Sequence, residues 1–310
     1  MTVWLAAVSA VAVLSLLVTR TRAGVVAHGS PWRAAVRRFR EDRSAVAGVW
    51  LLVAFYIVAA VGPWVSPYDP IAQPDIVALK SQPPSLMHPF GTDPVSRDVL
   101  SRIVVGAHVS LTIALAAVLV AVVVGTLYGA LAGYRGGRTD VVMMRVVDAA
   151  LAIPRLLLLI AIFALWGGVS LFALVLILGL TGWFGVSRQV RAQVQAARAE
   201  EWVLAARAAG VPDARILWRH ILPNVLSPVV VAATLGVGNV IVLESGLAFL
   251  GLGLPAPAPT WGGIIEEGRN DISLWWMAVF PGLAIVLTVI AFNLVGDGLR
   301  EALDPRGGLS

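Results

Sequence analysis

The sequence predicts an all-α protein that crosses a membrane several times. Three observations predict it. Of its 310 residues, 58% are apolar, with a mean hydropathy of +0.85. Only 13% are charged, where a soluble domain carries about 25%. The charges gather in short stretches between apolar runs, and a membrane helix needs about 20 such residues. A water-soluble fold cannot hide that much apolar surface.

Seven runs qualify, at 2–19, 46–65, 109–134, 146–166, 169–187, 228–250 and 276–296. The first has no charge before Val3 and is followed by Arg20 and Arg22. That order fits a signal anchor or true span with its N-terminus outside, rather than a cleaved secretory signal. The fourth carries Asp148 and Arg155, and the sixth contains Glu244. Of the 23 basic residues only Lys80 is a lysine. With segment 20–45 in the cytoplasm, alternation leaves all of them inside or on the inner side except Lys80, Arg97, Arg102 and Arg269. Basic residues favour the cytoplasmic side, which fixes the orientation and puts the C-terminus inside. Arg155 is then expected just within the inner rim of the membrane. Trp64, Trp261, Trp275 and Trp276 fall near the outer interface, where tryptophan is favoured.

Gly125, Gly129 and Gly133 recur every four residues on one helix face, a spacing that lets a second helix approach closely. Pro154 before Arg155, and Pro281 before Gly282, are places where a span kinks or begins. Gly246, Gly251, Gly253 and Pro255 end the sixth run, and Pro255, Pro257 and Pro259 form a stiff outer loop. Glu244 has two readings: an intramembrane acid lining a solute path or holding a proton, or a side chain bonded to backbone freed at the Gly-rich break.

Several chemistries are excluded. No GxxxxGK[ST] occurs, so no P-loop for ATP. HExxH and GxSxG are absent. His28, His88, His108 and His220 lack metal-ligand spacing, and there is no cysteine. The net charge of +5 lies in loops between spans, which argues against a nucleic-acid partner and for the bilayer.

The most defined soluble stretch is 188–227. Glu200–Ala209 reads as a short helix with acids at its start, capped at Gly210 and barred from continuing by Pro212. A second short helix is expected over Asp213–Leu222, ending at Pro223, with Leu217 and Ile221 on one face and Arg215 and Arg219 on another. Ala205, Ala206 and Gly210 give this pair a small-residue surface on which a cytoplasmic partner can pack.

These residues resemble the EAA loop of ABC-importer permeases. Ala205, Ala206, Gly210, Leu222 and Pro223 match its spacing, with Leu204 in place of the usual glutamate and His220 in place of an isoleucine. Three further stretches, His88–Leu111, Glu244–Gly263 and Ala291–Arg306, resemble the dipeptide/oligopeptide/nickel permease family in its "C" subunit type. Val95 and Ser96 depart from an acidic–Gly pair frequent there. The resemblance covers about 45–308. It implies a type I ABC-importer transmembrane fold with six core helices, here with an extra N-terminal helix. An N-terminal segment 1–44 would precede a permease domain 45–308, with an external segment 66–108 and a coupling loop 188–227. It implies a non-catalytic permease of a bacterial cytoplasmic membrane that works by alternating access. The implied partners are a homologous permease subunit, two ABC ATPase subunits or one fused ATPase, and an extracytoplasmic binding protein. ATP and Mg would be bound by the ATPases, with no cofactor in this chain. Three other readings remain: an ion-coupled transporter, which dissipating the ion gradient tests; a membrane enzyme, which needs product formation by the isolated chain; and a structural subunit, which would tolerate changes at Gly210.

Overall fold

The computed structural model describes residues 31–166 and 168–304. Among them there is no strand, only an isolated bridge between Thr92 and Asp98. The expected N-terminal span 2–19 lies outside the described residues.

The helices are α1 (Pro31–Glu41), α2 (Arg43–Val65), α3 (Val99–Arg135), α4 (Gly137–Leu151), α5 (Arg155–Trp166), α6 (Leu171–Arg198), α7 (Glu201–Ala208), α8 (Asp213–Phe249), α9 (Trp261–Gly268) and α10 (Trp276–Leu303). Five of them, α2, α3, α6, α8 and α10, are long and apolar enough to cross a membrane. The bent pair α4–α5 makes six. Side-chain caps start several of them: Asp42 accepts from Ser44 and Ala45 at α2, and Asp98 from Ser101 at α3.

The span expected at 146–166 is two helices meeting at 75°, and the kink falls at Pro154, where the sequence places one. Pro154 is the cause: it lacks an N–H, and its ring disfavours helical backbone at Ile153. α5 holds only 12 residues, about 18 Å of rise. Arg155 at its start lies level with Leu178 and Thr181 of α6, seven and ten residues in from Leu171, about 10–15 Å along that helix and deeper than the inner rim where the sequence put it.

α3 and α6 run parallel and pack along their length through glycine. A Cβ at Gly125 would meet Val186 Cβ at 2.7 Å and the Trp183 carbonyl at 2.8 Å. At Gly133 it would meet the Arg191 carbonyl at 2.7 Å, and Gly179 of α6 lies as close to Val120. α2 and α10 pack antiparallel in the same way, with Gly48 against the Ala291 carbonyl and Leu294, and Gly298 against Ala45. Between membrane helices, where lipid competes equally for apolar surface, such close backbone approach supplies the association.

One end of the bundle carries the loops rich in arginine. The opposite end carries 66–98 and 250–275. There the tryptophans divide. Trp64 is 83% exposed and Trp275 51% exposed, whereas Trp261 and Trp276 are buried. Trp261 donates through Nε1 to the Ile103 carbonyl and Trp276 to the Thr92 carbonyl. These two are core anchors, not interface residues, because their N–H groups find protein partners.

Candidate functional site

Two features stand apart from the spans: a short helix at the arginine-rich end and a clamp of buried charges at the other.

α7 is carried between α6 and α8. Its end closes as expected of a glycine cap: Gly210 has φ +77°, its N–H donates to the Arg207 carbonyl, and Val211 donates to the Ala206 carbonyl. Val203 is fully buried in a local cluster with Val190, Val194, Ile216 and Ile221. The other face is open. Trp202, Leu204, Ala205 and Gly210 are exposed, and Ala206 is half-buried. Tyr134, at the end of α3, ties the tip to its neighbours. Its hydroxyl donates to Asp213 at 2.5 Å, Arg207 lies 5.2 Å above its ring, and Arg207 also pairs with Asp213 at 3.4 Å.

The second short helix does not end at Pro223. The chain runs from Asp213 to Phe249 as one helix, with a π-helical turn at Ile216–Ile221. Leu222 donates to the carbonyl five residues back, Leu217. The widened turn sits just before Pro223, whose ring would clash with the Arg219 carbonyl in regular α geometry. So proline bends the winding without stopping it. Leu222 is half-buried and Pro223 exposed.

Glu244 is 2% exposed on α8 beside Ser245 and Thr260. Among the described residues, neither carboxyl oxygen has a hydrogen bond of ordinary geometry. It does not bond to backbone at the Gly-rich break, because that break satisfies itself. Gly251, at φ +79°, donates to the Ala248 carbonyl and Leu252 to the Leu247 carbonyl.

The clamp joins segment 66–98 to α9. Asp93 is fully buried. It accepts from the backbone N–H of Val95 and Arg97, from Arg97 Nε at 2.5 Å and from Arg102 Nη1 at 2.6 Å. Glu267 of α9 accepts from Arg97 Nη2 at 2.7 Å and from both terminal nitrogens of Arg102. Two acids and two arginines therefore neutralise one another out of water. Beside them His88 Nδ1 meets Asp98 at 2.9 Å. Ser96 is in left-handed backbone at φ 65°, one of the two positions where the resemblance expects an acidic–Gly pair. Sequence reading missed this clamp. Its local signal was Asp93 and Arg97 at i, i+4, together with arginines on the side where arginine is disfavoured.

Burial pushes the Glu267 carboxyl up, but hydrogen bonds and charge from Arg102, then Arg97, outweigh it and hold it below its ordinary value near 4.5. A carboxyl depressed on folding contributes stability that is fully present above its ordinary value and is lost as pH falls through the depressed one. The melting temperature of the purified protein is therefore expected to fall below about pH 4.5. Glu267→Gln should melt lower at neutral pH and show a smaller further fall in acid. An unchanged acid profile in that variant would remove Glu267 from the account.

The geometry defines a polytopic membrane protein that carries, at its arginine-rich end, a short helix with an exposed face slung between two continuous spans. A family model described as "Binding-protein-dependent transport system inner membrane component" matches residues 125–307, and the chain belongs to that family. A second, described as the N-terminal TM domain of oligopeptide transport permease C, matches 30–84. The chain is 39% identical over 272 residues to the dipeptide transport system permease protein DppC of Bacillus subtilis, covering 87% of this chain and 84% of that one. It is 38% identical over 278 residues to the oligopeptide permease protein OppC of the same organism, covering 89% and 90%. A putative peptide transport system permease protein of Brucella abortus is 41% identical over 279 residues, covering 89% and 93%.

Proposed function

We propose that this chain is the translocating subunit of an ATP-driven importer that carries peptides across a bacterial cytoplasmic membrane. The reading joins the peptide permeases it resembles to one observation: α7 presents an exposed, partly apolar face at the tip of two long spans. The chain itself catalyses nothing. ATP and Mg are held by two ATPase subunits, or one fused ATPase, that pack against Leu204, Ala205, Ala206 and Gly210. A homologous permease subunit completes the pathway, and an extracytoplasmic binding protein delivers solute to the end carrying 66–98 and 250–275. The arginine-rich end, with the C-terminus, faces the cytoplasm.

The orientation gains support from the clamp. Of the four basic residues on the outer side, Arg97 and Arg102 are neutralised by Asp93 and Glu267, and Arg269 lies 3.6 Å from Glu266. Among the described residues, Lys80 is the one lysine or arginine on that side with no acidic partner.

Three variants at Gly210 test the docking face. A Cβ here meets nothing within 4 Å, so bulk projects outward. The φ of +77° disfavours any L side chain, by about 1–2 kcal/mol, although asparagine tolerates it. Gly210→Asn is expected to keep the ATPases through co-purification. Gly210→Ala should weaken coupled transport a few-fold through strain. Gly210→Trp should lose ATPase retention and cut transport by about tenfold or more, as loss of about 1.4 kcal/mol would. If the tryptophan variant retains its ATPases and its transport, α7 is not where they dock.

A further inference from the structure

Arg155 does not belong to either feature above. It stands at the break between α4 and α5, near mid-membrane, and is half-buried. Its guanidinium donates through Nη2 to the Leu178 carbonyl at 2.7 Å and through Nε to Thr181 Oγ1 at 3.3 Å. The two nearest arginines in sequence on α6 have acids: Arg188 pairs with Asp148 and Arg191 with Asp140. Arg155 pairs with no carboxylate among the described residues. A cation at this depth is costly and marks a solute or ion path by default.

It also faces room. A cavity of about 390 Å³ lies between α3, α5, α6 and α8, lined by Arg155. Small side chains make it: Ala117 and Ala121 of α3, Gly182 and Gly185 of α6, Ala232 and Gly236 of α8. A Cβ at Gly182 would lie 3.0 Å from Arg155 Nη2, and one at Gly185 would meet nothing within 4 Å. The polar groups on the wall are the amides of Gln189 and Asn239. Gln189 uses its Nε2 on the Pro228 carbonyl, which leaves its oxygen as an acceptor. The volume falls within the range of about 300–1,000 Å³ typical of small-ligand sites.

We propose that this cavity is a mid-membrane station for the transported solute, in which Arg155 takes the solute's carboxylate. Resting on the peptide-import reading above, it names the recognised group as the free C-terminal carboxylate of a short peptide, with the amides of Gln189 and Asn239 facing its backbone. A guanidinium matches a carboxylate through paired N–H donors. The depth separates this ligand from a lipid headgroup phosphate, which sits at the membrane surface. Both walls α6 and α8 run directly into α7, so the station and the docking tip share rigid elements.

The test uses the assembled permease–ATPase complex and two probes, trialanine and trialanine amide. In detergent without the binding protein, trialanine is expected to raise the melting temperature of the wild type and the amide to do so far less. Arg155→Met should lose the difference, and Arg155→Lys should keep part of it. In proteoliposomes with binding protein, Arg155→Met should lower the acid-to-amide uptake ratio by about tenfold, as expected for a lost charge-assisted bond. Equal protection by acid and amide in the wild type would overturn the proposal. So would a difference that survives Arg155→Met, or Arg155→Met losing the partner permease subunit from the complex, which would assign the arginine to a partner's acid. A wild-type complex that transports neither peptide overturns peptide import itself. Transport with a ratio indifferent to Arg155 overturns the carboxylate station alone.

Discussion

Gly129→Leu is expected to abolish transport and to destabilise the bundle severely. A Cβ at position 129 would lie 2.3 Å from the Ser187 carbonyl oxygen, 3.0 Å from Val190 Cβ and 3.1 Å from the Arg191 amide nitrogen. Two of these are backbone atoms that no rotamer change can move. The neighbours on either side, Gly125 and Gly133, are equally confined. α3 and α6 must therefore separate to admit even a methyl group, and a leucine forces them further. Overpacking of this kind costs about 1–3 kcal/mol or more. The loss is compounded where close helix contact is itself the source of association. A melting temperature lower by about 5 °C or more is the expected readout. Gly246→Ala and Gly282→Ala are the controls, since a Cβ at either meets nothing within 4 Å. If Gly129→Leu melts with the controls, the α3–α6 seam does not hold the fold.

Arg102→Met is the second large effect. Arg102 is 1% exposed and supplies hydrogen bonds to both Asp93 and Glu267. Truncating one member of a buried ion network leaves an uncompensated charge, which costs about 3–5 kcal/mol. Here it leaves Asp93, with no exposure, with Arg97 as its one remaining counter-charge among the described residues. Segment 66–98 should then detach from α9 and become open to protease while the spans stay folded. Adding Glu267→Gln to Arg102→Met should restore part of the loss, because it removes one of the two stranded acids. Additive losses in the double variant would show that the two residues do not act on each other.

Much of this architecture was legible from apolar runs and breakers. The runs beginning near 46, 109, 169 and 276 each became a span, and Gly210 with Pro212 marked the end of α7. What failed did so for identifiable reasons. Hydropathy locates the part of a helix in lipid, so it missed that α6 continues to Arg198 and that α8 starts at Asp213. Proline was taken as a terminator at Pro223, although a π turn before it keeps the helix going. At Pro154, by contrast, the break expected from the sequence is there: α4 turns by 75° into α5. The clamp was the hardest part. Arg97 and Arg102 meet Glu267 across 170 and 165 residues of chain, and no periodicity links such partners. The cavity around Arg155 was equally hidden, since it depends on alanines and glycines from three spans converging, none of which signals anything alone.

The overhang of α6 has a mechanical consequence. Its 28 residues make a rod about 42 Å long, against about 30 Å of hydrocarbon. About 12 Å therefore projects beyond the layer. The seam with α3 stiffens this rod along its length, and α7 hangs from the projecting end. Such a rod is a lever. Tilting it by about 10° as a rigid body displaces one end relative to the other by about 7 Å. With its pivot at the edge of the layer, such a lever has a short arm of about 12 Å and a long arm of about 30 Å, so a shift at the α7 end is enlarged about two- to threefold at the far end.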